Sequence, residues 1–535
     1  MKDFIVKHKI PLALIPGGFL TALPLVIPEL GFLQWISLIP MAFALMWMCE
    51  GEKVRPFRAY GMGLLFFMSY YAVTFHWFFY MYPLDFAGLS NGISLIVVIL
   101  ACFGTAFLQA IFSALGFVIF VFVAKTKFIQ KRVYLMPVLM ASIWVIAEWW
   151  QNFGWWGVPW GRLPLGQINF TLLLRSASLF GSYFITFMIV AVNFFLAIAI
   201  IKQGIRRMAI ISAASLFVIN LALGVGVTLS HKDGSDPYKA AAIQGNISST
   251  EKWNGKTAQV LKIYKELTEE AARDGAEIIV WPETAIPVVL AERQDYYDAI
   301  TAIARDNDIT LVISVFTRDE ENGRLRNSIL EVDSNGKVNE DVYSKQRLVP
   351  FGEFVPMRSF VTAIFPPLAD INMLSDDLSA GEESVVIDGE KGNIGCAVCF
   401  DSIYEQVVWE AARNGAELIA VSTNDSWFSD SAALSMHNAQ SRLRAIESGR
   451  YVVRAANTGI SSIIDPMGNV NENLGAMERG YIISDVQMRN DTTLYSLIGN
   501  VVVYACIAFV VIVSIIDVVN KVKINKKQRK LVDFM

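Results

Sequence analysis

Most of the first 230 residues fall into apolar runs long enough to cross a bilayer, and no water-soluble fold can bury that many at once. The runs lie at about 10–28, 32–49, 60–82, 91–123, 133–150, 172–201 and 208–229, with an eighth at 497–519. Only 18% of the 535 residues are charged, against about a quarter in a typical soluble domain. The shortfall is confined to these runs, while residues 231–496 have an ordinary soluble composition. The expected architecture is therefore a transmembrane bundle of eight helical spans with a soluble domain inserted before the last one. The boundaries read as seven helices in 1–230, a soluble domain in 231–492, the eighth helix in 493–520 and a basic tail in 521–535. The fourth run is long for one crossing and predicts a tilted helix that projects beyond the bilayer. Lys2, Lys7 and Lys9 precede the first run, but no small-residue cleavage site follows, so it reads as a span rather than a cleaved signal.

Basic residues in the short loops set an orientation. Lys53, Arg55 and Arg58, then Lys125, Lys127, Lys131 and Arg132, then Lys202, Arg206 and Arg207 fall in alternate connections. The other connections, 29–31 and 83–90, contain no Lys or Arg, and 151–171 contains only Arg162. By the positive-inside rule both termini are cytoplasmic and the inserted domain is extracytoplasmic. Tryptophans in 149–160 suit a membrane interface, and Glu148 and Arg162 stand at the outer ends of spans, in reach of headgroups or water. No basic stripe lies outside the membrane flanks, which excludes nucleic acid as a partner.

In the inserted domain, short apolar strands alternate with helices, so sheets covered by helices are expected, an α/β layered domain. Strand-like runs include 239–245, Ile278–Trp281, Thr310–Phe316, Asn393–Cys399 and Glu417–Ser422, with helices near 256–273, 293–307, 403–414 and 435–449. Three strand ends carry reactive groups. Glu283 follows Trp281-Pro282, where partial burial suits a carboxylate to general-base work, although alone it reads more simply as a surface acid or helix cap. Lys345, between Tyr343-Ser344 and the turn Val349-Pro350-Phe351-Gly352-Glu353, can donate to a developing oxyanion, although alone it reads as a solvated lysine. Cys399 ends a strand that also holds Cys396; residues three apart on a strand face opposite ways, so one packs inward. The other cysteines, Cys49, Cys102 and Cys506, sit inside apolar spans. Zinc binding by Cys396 and Cys399 lacks a second ligand pair, and a redox pair of this spacing belongs at a helix start. A thiol needs a base or a cation to react at neutral pH. Among His8, His76, His231 and His437 only His437 could pair with Cys399, so a Cys/Glu/Lys trio fits the composition better. The loops 351–368 and 426–434, rich in Phe, Trp or Gly, are placed to act as apolar lids.

Glu283, Lys345 and Cys399, in that order and about 50–60 residues apart, resemble the nitrilase (carbon–nitrogen hydrolase) superfamily. With seven spans before the domain and one after, the whole chain resembles the apolipoprotein N-acyltransferase family. Further motifs carry that resemblance: Trp156-Gly157-Val158-Pro159-Trp160, Gln244-Gly245-Asn246-Ile247, Lys252-Trp253, Thr423-Asn424-Asp425-Ser426-Trp427-Phe428 and Arg454-Ala455-Ala456-Asn457-Thr458-Gly459. It implies an αββα sandwich for the inserted domain, with Cys399 as nucleophile, Glu283 as general base and Lys345 as oxyanion-stabilising cation. Glu353 then corresponds to a second active-site Glu and Trp253 to a substrate-side Trp. Phe400 and Asp401 stand where the family usually has Tyr and Glu, a departure that bears on acyl-chain or donor preference. The implied activity moves an acyl chain from a phospholipid to the α-amino group of a lipoprotein's S-diacylglyceryl-cysteine, with no metal or diffusible cofactor. A membrane-tethered amidase sharing the trio, or a non-catalytic scaffold of the same fold, is the alternative reading.

Overall fold

A computed structural model describes residues 2–50, 55–84, 88–232, 234, 236–248, 255–364 and 376–532. The chain forms two compact units, one of residues 1–76, 101–226 and 500–535, the other of residues 77–100 and 227–499.

The first unit is helical, with α1 Lys2–Val26, α2 Ile39–Glu50, α3 Pro56–Thr74, α4 Asn91–Ala124 (its first turns fall in the second unit), α5 Met136–Trp150, α6 Ser182–Ile201 and α7 Arg206–Ser230. Among the described residues, five helical stretches are long and apolar enough to cross a membrane: Pro28–Glu50, Asn91–Ala124, Val133–Trp150, Ser182–Ile201 and Gln203–Ser230. Leu12–Val26, Thr171–Phe180 and Val501–Ile516 are shorter apolar helices.

Three runs differ from the uniform helices their hydropathy suggests. The run at 172–201 is broken at Gly181, whose φ of +75° no helix accepts, so short turns precede α6. The run at 60–82 stops being α-helical at Thr74 and continues as a 3₁₀ turn, His76–Met81. The run at 32–49 begins with a 3₁₀ stretch, Pro28–Trp35, and becomes α-helical only at Ile39. Broken backbone inside an apolar unit needs new partners. Asn193 on α6 supplies two: its Oδ1 accepts from Leu38 N (3.0 Å) and its Nδ2 donates to the Gln34 carbonyl (2.8 Å). Gln167 adds a bond from Trp35 Nε1 (3.0 Å) and one to the Gly31 carbonyl (2.8 Å).

Glu148 and Arg162 do not reach water or headgroups, contrary to their position at span ends: they are 3% and 0% exposed. Glu148 accepts from Trp144 Nε1 (3.1 Å), Leu163 N (2.9 Å) and Thr186 Oγ1 (2.6 Å), and Arg162 bonds Asn152 and lies over the Tyr183 ring. A charged group in an apolar unit is retained when neighbours supply hydrogen bonds, as Trp144, Leu163 and Thr186 do for Glu148.

The second unit holds two six-stranded sheets. The strands are β1 Tyr238–Gln244, β2 Ile278–Val280, β3 Thr310–Arg318, β4 Leu325–Val332, β5 Tyr343–Ser344, β6 Val386–Gly389, β7 Gly392–Val398, β8 Leu418–Thr423, β9 Tyr451–Ala456, β10 Ser461–Ile464, β11 Val470–Leu474 and β12 Gly480–Val486. Their orders are β12-β1-β2-β3-β4-β5 and β11-β10-β9-β8-β7-β6. In each sheet three central strands run parallel, β1/β2/β3 and β7/β8/β9, and the outer pairings are antiparallel. Parallel strands require crossover helices on the faces. These are α8 Thr257–Arg273 and α9 Gln294–Asn307 on the first sheet, and α10 Glu405–Arg413 and α11 Ala432–Ser448 on the second. The inner faces pack on each other, β1 against β9 and β10, and β4 against β7, giving an αββα sandwich. Strands β2 and β8 are buried throughout, which explains their unbroken apolar sequences. Trp281 just after β2 is fully buried, stacks on Tyr264 at 5.1 Å and donates from Nε1 to Thr268 Oγ1 (2.9 Å). The final helix, α12 Val501–Val532, packs its first turns on α5 and α6 through Val145, Tyr183, Val503 and Cys506.

Helices α1 and α3 pack tightly at Gly18, where an added Cβ would stand 2.3 Å from the Phe66 carbonyl oxygen. At Gly61, also on α3, a Cβ meets nothing within 4 Å. Gly18→Ala is therefore expected to destabilise the detergent-solubilised chain by about 1–3 kcal/mol, the usual cost of overpacking. Gly61→Ala should leave thermal stability unchanged or slightly raised. Equal melting curves for the two variants would contradict this packing.

Candidate active site

Parallel strands deliver their carboxyl ends to one edge of a sheet, and side chains there are fixed by the strands behind them. Cys399 is the first residue past β7, Lys345 the first past β5, and Glu283 the third past β2. Thr284 and Cys399 both adopt left-handed backbone, with φ of +44° and +49°. Such conformations are uncommon for residues with a Cβ and need support from their surroundings.

The three sequence-predicted residues converge. Lys345 Nζ donates to Glu283 Oε1 (3.0 Å) and to Glu353 Oε1 (2.8 Å). Glu283 Oε1 also accepts from Asn327 Nδ2 (2.8 Å), and Glu353 Oε2 from Val349 N (2.8 Å). Lys345 is 1% and Glu283 7% exposed, so the ammonium sits between two carboxylates almost out of contact with solvent. Burial opposes the charge on Lys345, but Glu283 and Glu353 outweigh it and hold its pKa well above the ordinary lysine value. Burial raises the Glu353 pKa, and the neighbouring Glu283 adds to the rise. The Cys399 thiol is pushed up by burial and then by Glu283, with Lys345 pulling the other way, so the resting group is a thiol.

Asp401 and Phe400, the departures from the family pattern, play different parts. Asp401 is fully buried: its Oδ2 accepts from Tyr343 OH (2.8 Å) and Val398 N (3.1 Å), and its Oδ1 from Arg347 N (2.8 Å). It thereby ties the strand that ends in Cys399 to the segment that carries Lys345. Phe400 packs edge-on against Tyr404 at 5.4 Å. Trp253 lies outside the described residues. So do 365–375 of the loop 351–368, whose earlier part includes a helix at Arg358–Ile364. The loop 426–434 is a 3₁₀ turn, Ser426–Phe428, followed by the start of α11.

Sequence reasoning missed Asn327, Asp425 and His437 as parts of this site. Sγ of Cys399, a carboxylate oxygen of Asp425 and a ring nitrogen of His437 lie within 4.8 Å of one another. His437 was set aside because a Cys/Glu/Lys trio accounts for a reactive thiol without it, yet the fold brings it beside Cys399. Asn327 lies in mid-strand, where polarity at a fully buried position was the available signal.

With this geometry in place, sequence comparison assigns the class. Residues 239–493 match the carbon–nitrogen hydrolase family, and residues 17–195 match the apolipoprotein N-acyltransferase N-terminal domain. The chain is 28% identical over 531 residues to an apolipoprotein N-acyltransferase of Geobacter metallireducens, covering 96% of both proteins. It is also 28% identical over 494 residues to one of Gloeobacter violaceus, covering 91% of this chain and 90% of that one. Among solved structures, Saccharomyces cerevisiae Nit3, of branch 10 of the nitrilase superfamily, aligns with 48% of this chain and 92% of its own at 19% identity, with a TM-score of 0.38. The assignment rests on the sequence matches. A carbon–nitrogen hydrolase domain follows an acyltransferase-type apolar domain in one chain. The chain belongs to the apolipoprotein N-acyltransferase family and is an acyltransferase of that kind.

The Asp401 carboxyl is pushed up to about 6 by burial, against the pull of Lys345 and its hydrogen bonds. An unfolded aspartate titrates near 3.9, so between about 4 and 6 the folded chain binds the extra proton. The contribution of Asp401 to stability therefore falls as pH rises through that window, whereas its three-donor clamp is complete only above it. Activity is expected to decline as pH falls through about 6 while thermal stability gains from the same protonation. Asp401→Asn should remove both dependences and lower the rate at neutral pH by roughly 10-fold, on the scale of one buried charge-assisted hydrogen bond. An unchanged acid limb in Asp401→Asn would assign it to another group.

Proposed function

We propose that this chain transfers an acyl group from a membrane phospholipid, through a thioester on Cys399, to the α-amino group of an apolipoprotein's N-terminal S-diacylglyceryl-cysteine. The observation that carries the reading is the buried Glu283–Lys345–Glu353 cluster beside a strand-end cysteine.

In the first half-reaction Glu283 accepts the Cys399 proton as sulfur attacks the ester carbonyl. The Lys345 ammonium faces the oxyanion that develops, with a backbone N–H near Cys399 as its partner. Collapse breaks the ester C–O bond, and the proton on Glu283 passes to the departing lysophospholipid hydroxyl. In the second half-reaction the acceptor amine attacks the thioester, Glu283 takes its proton, and the sulfur leaves and regains a proton as the amide forms. Bonds and protons balance with no metal or diffusible cofactor. The thiol stays protonated at rest, so deprotonation accompanies attack rather than preceding it. Because Glu353 shares Lys345 with Glu283, it keeps the ammonium seated while the Glu283 carboxylate is transiently neutral.

Lipid substrates give the apolar helices a purpose. Drawing an acyl chain into water costs about 0.8 kcal/mol per CH₂, which an enzyme in the bilayer avoids. The accompanying topology is eight spans with both termini cytoplasmic and residues 231–492 extracytoplasmic, in a bacterial cell membrane.

Incubation with labelled phospholipid and a diacylated lipopeptide is expected to give an acyl adduct on Cys399 by mass spectrometry, followed by N-acylated peptide. Cys399→Ala should lower product formation by roughly 10³-fold or more. Free fatty acid without N-acylated peptide would identify a hydrolase instead and overturn the transferase reading.

A further inference from the structure

The turn at Cys399 is strained and stays in place only if its neighbours hold it, and those neighbours are buried polar groups that acyl transfer itself does not require. Ser402 Oγ lies 2.7 Å from the Cys399 carbonyl oxygen. His437 Nε2 lies 3.1 Å from that same oxygen and 3.1 Å from Ser402 Oγ. The three atoms form a closed triangle on the backbone of the nucleophile-bearing residue. On the other side of the ring, His437 Nδ1 is 2.8 Å from Asp425 Oδ1.

Asp425 is fixed in turn. Its Oδ2 accepts from Arg454 (2.8 Å), its Oδ1 from Thr423 Oγ1 (3.0 Å), and the chain behind it is so close that a Cβ at Gly459 would stand 2.2 Å from Oδ2. Burial opposes its charge, but His437 and Arg454 prevail and hold Asp425 well below the usual carboxylate range. An ionised Asp425 requires a proton on His437 Nδ1, which sets the ring's orientation. The ring face is closed by Phe428, edge-on at 6.3 Å, and Trp77 packs edge-on against Phe428 at 4.9 Å. His437 is 1% exposed, so solvent cannot replace these contacts.

We infer that His437 is a positioning residue: with its Nδ1 proton on Asp425, its Nε2 accepts from the hydroxyl of Ser402, whose Oγ lies on the Cys399 carbonyl, and this pairing holds the positive-φ turn so that it presents Sγ to Glu283 and Lys345. The inference rests on the acyl-transfer reading only for which reaction is slowed; the placement of Sγ is testable without it. The ring acts on the backbone through Ser402, which Nε2 holds against the Cys399 carbonyl, and Asp425 acts through the ring.

Two near-isosteric replacements separate this role from simple core filling. A glutamine places its amide near Nε2, whereas an asparagine places it near Nδ1. Each variant of the full-length enzyme in detergent is assayed for folding by thermal melting, for the kcat and KM of acyl transfer, and for the iodoacetamide alkylation rate of the Cys399 peptide by mass spectrometry. His437→Asn is expected to lose about 10²-fold in kcat and about 10-fold in Cys399 alkylation, with KM within about two-fold. His437→Gln should recover both to within about 10-fold of the parent. Equal behaviour of the two variants, a loss confined to KM, or parental alkylation in folded His437→Asn would overturn the assignment. Should the parent show alkylation but no acyl thioester, the functional reading fails while the alkylation comparison still decides the positioning role.

Discussion

The catalytic unit depends on one buried ammonium. Lys345 is enclosed by Glu283 and Glu353, each within hydrogen-bond distance of the same nitrogen. Desolvating three charges is costly, and the cost is offset only while all three remain together with their outer partners, Asn327 on Glu283 and the Val349 amide on Glu353. Removing the cation would strand two carboxylates, and removing either acid would strand part of a charge. Glu283 and Lys345 stand just past strand ends, and Glu353, in the turn that follows, is tied down by the Val349 amide, so the three groups are held at 2.8–3.0 Å without solvent to relax them.

A second constraint follows from the first. Burial, and then Glu283, outweigh the pull of Lys345 on the thiol, so a standing thiolate in this pocket is unfavourable. Cys399 therefore cannot be a permanently ionised nucleophile of the kind that a nearby imidazolium supports. In the proposed reaction its readiness comes from placement: the positive-φ turn after β7 sets the sulfur within electrostatic reach of Glu283 and Lys345. Asp401 stitches the strand to the Lys345 segment from one side, and the Asp425–His437 chain grips the turn from the other. Strain of this kind persists where surrounding structure over-determines it.

What was legible in the sequence follows the same division. Glu283, Lys345 and Cys399 each stand just past a strand, but Glu283 and Lys345 read alone as a surface acid and a solvated lysine, and their order and spacing, shared with a known superfamily, singled them out. The α/β layering was visible in the central strands, whose buried runs are continuous, while the αββα sandwich was implied by the family resemblance. The edge strand β11, Val-Asn-Glu-Asn-Leu, was not read as a strand, because it is half exposed and its pairing is set by β10. Asn327 bonds a residue 44 positions away and His437 one 38 positions away, relations that no local pattern encodes. In the helical unit, hydropathy located the apolar runs but not their breaks. Gly181 and the 3₁₀ stretches change the backbone without changing its polarity. Glu148 and Arg162 were misplaced at the surface for a related reason: position along a run says nothing about which buried partners a fold provides.

The resting charge balance also bears on why such a site would favour an amine over water in the second half-reaction. In the proposed reaction, once Cys399 carries an acyl group the sulfur can no longer titrate, and Glu283 is the group assigned to receive a proton. Water must lose its proton in the attacking step or soon after, and it needs a base held close to its own position. An amine is the stronger nucleophile and can form the new C–N bond before its proton departs, so it tolerates a base that is fixed and already bonded to Lys345 and Asn327.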